Sequence, residues 1–360
     1  MRQSVARAFP FPVQALPVVL SLLFGFSTAG REAAAGSRGE DTVRIAAVGD
    51  IMLSRSVARW SRKAGDYGYP FRKIDGLFKT CDLAFCNLEC ALTRNDSQVH
   101  KGFTFKAHPE SARHLKEAGF TVVSLANNHA VDFGEKGFRD TLSCLERQGL
   151  LAAGVQDGNG IQAPVLSNVR TVCIGWLAYC EREIDPYFSR TGSGQAPVAI
   201  YDSRRMQEEI RIVRAAVDVL VVSLHFGREY SSVPTRSQAR MVREAVTSGA
   251  SVVLGHHQHA VQGIEMRGKT LVAHGLGNFV FDQKTPERNQ SILLEIEVGK
   301  SGIRRAVVRP IVLSEGQPSL ASGEKGIAIL EEVSRLSAAL GTKLVIGSGG
   351  DGSPVAELSL

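Results

Sequence analysis

Five of the nine histidines in this 360-residue chain lie in short polar clusters that directly follow apolar runs. His129 comes after Asn127 and Asn128, behind the run at 121–125. His225 ends the run at 218–224, and His256, His257 and His259 follow the run at 251–254. Asp50 closes the first apolar run, Asn87 and Glu89 follow the run at 83–86, and Asn278 follows the run at 270–274. A single residue of this kind would be an ordinary cap or a satisfied core group. Imidazoles, carboxylates and amides gathered from several strand ends instead suit a metal site in which each ligand comes from a different loop. The mixed nitrogen and oxygen set fits divalent Zn, Mn or Fe and argues against soft copper or iron–sulfur chemistry. If two ions bind, Glu89 is the natural bridging carboxylate, and a water activated between them would be the nucleophile. Histidines outside the ligand set, His129 or His256, would donate a proton or stabilise developing charge.

The elements that must position these residues follow from periodicity. Short apolar, β-branched runs at 43–48, 83–86, 121–125, 171–177, 218–224, 251–254 and 270–274 read as buried strands. Helical patterns at about 109–118, 135–148, 203–216 and 236–248 separate them. This alternation predicts a layered α/β body built on a mostly parallel sheet with both faces covered. Such a sheet gathers ligands beyond the carboxyl ends of its strands, where the polar clusters fall. From 261 to 313 the helices stop, so strands at 290–298 and 303–313 should be antiparallel and lie at the sheet's edge. One further helix pattern covers roughly 324–340. The partition is a domain over 42–313 and a C-terminal extension over 314–360.

Composition bounds the function classes. With 44% hydrophobic residues the chain buries a core, and 36 glycines and 13 prolines exclude a long coiled coil. The net charge of +6 comes without a block of consecutive like charges, so no nucleic-acid partner is expected. Arg2 and Arg7 precede an apolar stretch from Val13 to Phe26, and Ser27, Thr28, Ala29 and Gly30 follow it. That order over residues 1–30 predicts a secretory signal cleaved after Ala29 or an uncleaved membrane anchor, joined by a linker over 31–41. Beyond it no apolar run is long enough to span a bilayer. Six cysteines in an exported chain permit up to three disulfides in 15 pairings, although Cys86 and Cys173 sit in strand-like runs where buried thiols are common.

The blocks AVGDIML (47–53), CNLECALT (86–93), SLANNHAVDFGEKG (124–137), SLHFGREY (223–230), GHHQHAVQGIE (255–265) and GLGNFVFD (275–282) resemble the CapA family of poly-γ-glutamate capsule synthesis proteins. The resemblance implies a four-layer α/β sandwich of the metallo-dependent phosphatase type. It places Asp50, Glu89, Asn128, His225, His257 and His259 as ligands of two divalent metals, with His129 as the nearby acid. The chain departs from the phosphoesterase pattern at Met52, where an imidazole is usual, and at Glu89, where an aspartate is usual. Gln258 and His274 are local departures from the capsule family's own motifs.

Arg228, Glu229 and Asn278 are candidates for touching substrate, with an internal Arg228–Glu229 pair as the alternative for the first two. Arg55, Lys106 and Arg182 lie near motif loops and suit carboxylate or phosphate. The functional expectation is a cell-envelope protein of capsule or exopolymer biosynthesis, hydrolysing or transferring a bond in an anionic polymer. Its partners would be that polymer or its synthase subunits, with membrane attachment if the N-terminus is uncleaved. An exported metallophosphoesterase and a non-enzymatic export accessory are the alternatives.

Overall fold

The computed structural model of the protein describes residues 41–184 and 197–359. The expected export signal and nearly all of the linker lie outside the described residues. β1 (Val43–Ile51) is buried along almost its whole length, as an apolar strand covered on both faces must be. It is followed by α1 (Arg55–Lys63), β2 (Leu83–Leu88), β3 (Ala91–Leu92) and β4 (Lys106–Ala107). Then come α2 (Ser111–Glu117), β5 (Val122–Ser124), α3 (Gly134–Arg147) and β6 (Leu151–Ala153). The next stretch holds β7 (Val165–Val169), β8 (Val172–Cys180), α4 (Ser203–Arg214), β9 (Val219–His225), α5 (Arg236–Ser248) and β10 (Val252–His256). β11 (Ile264–Arg267), β12 (Thr270–Ala273), β13 (Asn278–Val280), β14 (Gln290–Gly299) and β15 (Gly302–Ser314) succeed them. β16 (Gln317–Leu320), α6 (Gly323–Ala338), β17 (Leu344–Ser348) and β18 (Pro354–Leu358) complete the described chain.

Among the described residues these strands form two main sheets. The first runs β17-β18-β15-β14-β1-β2-β5-β6, with β13 beside β1 and β16 beside β15. The second runs β11-β12-β10-β9-β8-β7. Alternation along a strand explains why one continuous sheet, the simplest reading of the pattern, gives way to two. On β8, Ile174, Trp176 and Ala178 enter a core shared with β1 and β2, and Trp176 stacks on Phe85 at 5.4 Å between ring centroids. Leu177 and Tyr179 point the other way, into a separate core with Met206 and Ile210 of α4 and Met241 and Val242 of α5. α2 and α3 cross over between the parallel strands β2, β5 and β6. The layers are therefore helix, sheet, sheet and helix, the sandwich that the family resemblance implies.

Local chemistry sets the helix ends. α5 begins with a capping box in which the Thr235 side chain and the Gln238 backbone and side chain satisfy one another, and it ends at Gly249 with φ of 112°. β14 and β15 are antiparallel as expected, and they sit beside β1 within the first sheet. The residues after Ser314 continue that sheet. β18 pairs with β15, and α6 packs on β15, β17 and β18. None of the six cysteines forms a disulfide among the described residues. Cys86, Cys90, Cys144 and Cys180 are buried.

Candidate metal centre

Glycine and a bulge aim the first candidate ligand, Asp50. Ala47 pairs with Phe85 and Asp50 with Asn87, so β1 spends three steps where β2 spends two. An odd residue reverses which face the following side chains occupy, and it turns Asp50 onto the face it shares with Asn87. Gly49 lies inside the irregularity, where a Cβ would stand 1.8 Å from the Gly277 carbonyl oxygen. The same carbonyl accepts the Asp50 backbone N–H at 3.0 Å, which ties β1 to the start of β13.

Around Asp50 the remaining groups arrive from separate strand ends. Ligand atoms of Asp50, Glu89 and His225 lie within 4.8 Å of one another, and all three residues are buried. His259 touches the same two carboxylates, with Nδ1 3.3 Å from Asp50 Oδ2 and Nε2 3.6 Å from Glu89 Oε1. The Asn278 Oδ1 atom lies 2.9 Å from His259 Nδ1, so an N–H there leaves Nε2 as a lone pair facing Glu89. Asn128 Oδ1 is 2.8 Å from His225 Nε2. Asn87 donates to Asp50 Oδ1 at 2.9 Å and lies 3.2 Å from His225 Nδ1.

Neither carboxylate oxygen of Glu89 has a hydrogen-bond partner, although the residue is fully buried. Burying an unpartnered carboxylate is among the most unfavourable arrangements a protein makes. Acceptors facing acceptors around it are what a bound cation requires, so these residues fit a divalent metal. His257 completes the loop with an unpartnered Nδ1, a ring 4.9 Å from that of His225, and a backbone N–H 3.3 Å from Asp50 Oδ2. His257 and His259 both take the left-handed conformation, at φ of 95° and 52°. That is backbone strain gathered at the centre.

The bacterial capsule synthesis protein PGA_cap family matches residues 44–283, the span that contains every one of these groups. The chain belongs to this family. It is 30% identical over 312 residues to the PGA biosynthesis protein CapA of Bacillus subtilis (strain 168), covering 85% of this chain and 81% of that protein. It is 27% identical to the capsule biosynthesis protein CapA of Bacillus anthracis, covering 84% and 76%. Among solved structures, a calcineurin-like phosphoesterase YfkN from Bacillus subtilis is 12% identical, with a TM-score of 0.43 over 82% of this chain and 96% of that one.

In this capsule-family chain, the other expected residues fall into two groups. His129 stacks on Phe105 at 3.9 Å, and its Nε2 lies 3.9 Å from Glu89 Oε1. It lines a cavity of about 430 Å³ that opens beside His259, with Arg55, Phe103, Glu229 and Tyr230 at the rim. His256 stands behind Asp50, its Nδ1 3.2 Å from Asp50 Oδ1, and is buried. Asn278 is also fully buried, its amide engaged with His259 and with the Arg288 carbonyl, which places it behind the imidazole and away from the open face. Arg228 is exposed and forms no ion pair with Glu229 among the described residues. Met52 is buried and accepts the Ser54 N–H on sulfur, so it brings no nitrogen to the centre.

Two residues were missed by sequence reasoning. Asp132 lies 2.8 Å from His129 Nδ1 and is held in turn by Lys101 at 2.5 Å. Lys101 also donates to the Asn128 carbonyl at 2.5 Å. An acid three residues after a histidine was the available signal for Asp132, since residues three apart share one side of a turn. Lys101 comes from a remote loop and left no signal.

The charges of the metal-free centre oppose one another. Burial raises the Glu89 carboxyl well above the usual range and lowers His225 well below it. Burial and the neighbouring His259 charge hold His257 down to about 3. For His259, burial works downward but is outweighed by Glu89 and Asp50, which raise it from 6.5 to about 9. A raised folded-state value contributes stability below the unfolded value and loses it as pH rises through the folded one. The metal-free protein is therefore expected to lose on the order of 2–3 kcal/mol of stability between about pH 6.5 and 9. Thermal unfolding across that range, with and without added metal, checks this. A bound cation replaces the protons, so the loss should vanish in the loaded protein.

Proposed function

We propose that the protein is an exported, metal-dependent hydrolase or transferase acting on γ-glutamyl amide bonds of a capsule-type anionic polymer. The observation that carries this reading is the unpartnered Glu89 carboxylate among Asp50, His225 and His259, the last of which lines a cavity together with Asn128, His129 and Arg55. Family membership and two relatives named for PGA or capsule biosynthesis supply the substrate class. The Arg2, Arg7 and Val13–Phe26 pattern supports work outside the cytoplasm.

Asp50, Glu89, His225 and Asn128 would hold one ion, and Asp50, Glu89, His257 and His259 a second. Bound divalent metal supplies Lewis-acid polarisation of the bond to be cleaved. The chain's own residues do the rest. Arg55 is clamped by Asp282 at 2.6 Å and lies over Phe105 and Phe281, so a fixed guanidinium faces incoming carboxylates. Asp132 accepts from His129 Nδ1, which leaves Nε2 of the neutral ring free to take a proton from the attacking water. His129 then returns that proton to the leaving amine as the carbon–nitrogen bond breaks. Phe105 stacked on the ring excludes water from its back face.

The test pairs elemental analysis with incubation of the purified protein and poly-γ-glutamate in the presence of Mn²⁺ or Zn²⁺. About two ions per chain and shortening of the polymer are expected. Bound metal with turnover of a phosphodiester alone would overturn the amide assignment, and no turnover of either would overturn the hydrolase reading.

A further inference from the structure

We propose that the outer face of α1, with Arg94 and Lys106, is a track that binds an extended polycarboxylate and leads it to the metal centre. The inference rests on the functional reading above for the direction of travel; the binding itself stands on separate observations.

The first is the pattern on α1. Arg55, Arg59 and Arg62 occur at i, i+4 and i+7, and so share one face of the helix. All three are exposed, while Val57 and Ser61 are buried beneath them. The helix contains no acidic residue. Like charges at this spacing repel, and cations in a first turn oppose the helix dipole, so the arrangement is unfavourable in isolation. Among the described residues Arg59 and Arg62 have no carboxylate partner; Arg59 reaches only the Ser56 hydroxyl, at 2.6 Å. Arg94 meets only the His108 ring, at 3.2 Å.

The second observation is continuous space. A groove of about 970 Å³ runs beneath Arg55, Arg59, Arg62, Lys106 and Lys284. At one end it shares Arg55 with the cavity beside His259. At the other it shares Arg62 and Lys106 with a hollow of about 300 Å³ that also holds Arg94. The groove's two carboxylates are already engaged, Asp282 by Arg55 and Asp96 by Lys106. Five cations thus face two paired acids along a channel that ends at the metal ligands. Guanidiniums spaced along a groove match a chain that carries one carboxylate per repeat, because each fork takes a carboxylate through two parallel bonds.

Binding of fluorescent poly-γ-glutamate to the full chain, measured by anisotropy at several salt concentrations, tests the track. The double variant Arg59→Glu and Arg62→Glu should bind about tenfold more weakly with a shallower salt dependence. Reversing two exposed lysines elsewhere, Lys269→Glu and Lys300→Glu, should change affinity little. Metal content and thermal midpoint of the track variant should match the parent. For turnover, its KM for long polymer should rise while kcat and cleavage of a short γ-glutamyl peptide stay level. Unchanged affinity in the track variant, or equal loss in the control, would overturn the proposal. Weakened binding with no turnover in any protein would keep the track and remove the hydrolase reading.

Discussion

Glu89→Gln is expected to empty the metal centre while leaving the metal-free protein at least as stable as the parent. The two effects separate because the carboxylate has no hydrogen bond to lose. A residue kept for folding would show satisfied partners and would destabilise the fold when changed. Here neutralising the side chain removes a buried carboxylate that accepts no hydrogen bond and has His259, at 3.6 Å, as its nearest cationic neighbour, so the cost of burying the charge falls. Metal retention after dialysis should drop sharply, since Glu89 lies within reach of both His225 and His259. Metal-dependent turnover should fall on the order of a thousandfold, the rate equivalent of several kcal/mol of lost polarisation. Unchanged metal content would remove Glu89 from the ligand set. A lower thermal midpoint in metal-free buffer would make it a structural residue.

Gly49→Ala is expected to cost at least about 4 kcal/mol and to abolish metal binding with it. A Cβ at this position would overlap the Gly277 carbonyl oxygen at 1.8 Å, a backbone atom held directly before β13, the strand that pairs with β1. No rotamer change relieves that contact. β1 must move away from β13, which breaks the 3.0 Å bond between Asp50 N–H and Gly277 and swings the Asp50 carboxylate off Asn87 and His259. Denaturant unfolding and metal analysis of the variant check both consequences. Gly347→Ala is the control, because a Cβ there meets nothing within 4 Å. If the two variants unfolded alike, the close approach at Gly49 would not be what holds Asp50 in place.

Much of the candidate site was legible in the sequence because its polar groups stand at strand ends. An apolar run that stops at Asp50, Glu89, Asn128 or His225 announces both the strand and the group it presents. The major helices, α2 to α6, were legible from their periodicity for the same reason. α1 was not, since Arg55–Lys63 offers few apolar positions and its exposed face is almost wholly basic. Nor were the short strands β3, β4, β6, β7, β11, β13, β16, β17 and β18. Strands of only two to five residues carry too little alternation to stand out from loops.

The sequence by itself determined the residue types, the order of the long strands and helices, and a set of donor groups that suits a metal, because donor chemistry and periodicity are local properties. Tertiary structure decided the rest. The split into two sheets depends on which alternate side chains of β8, β9 and β10 meet Phe85 and its neighbours, a pairing across more than 80 residues of chain. The bulge at Gly49 sets the face of Asp50 through a carbonyl 228 positions later. Asn278 and His256 share the polarity of the ligands, yet burial places them behind His259 and Asp50. The pairing of His129 with Asp132 and Lys101, and the alignment of α1 with the cavity mouth, arise only when distant loops fold onto one edge. Local chemistry names the groups that can act; long-range packing decides which of them face the same open space.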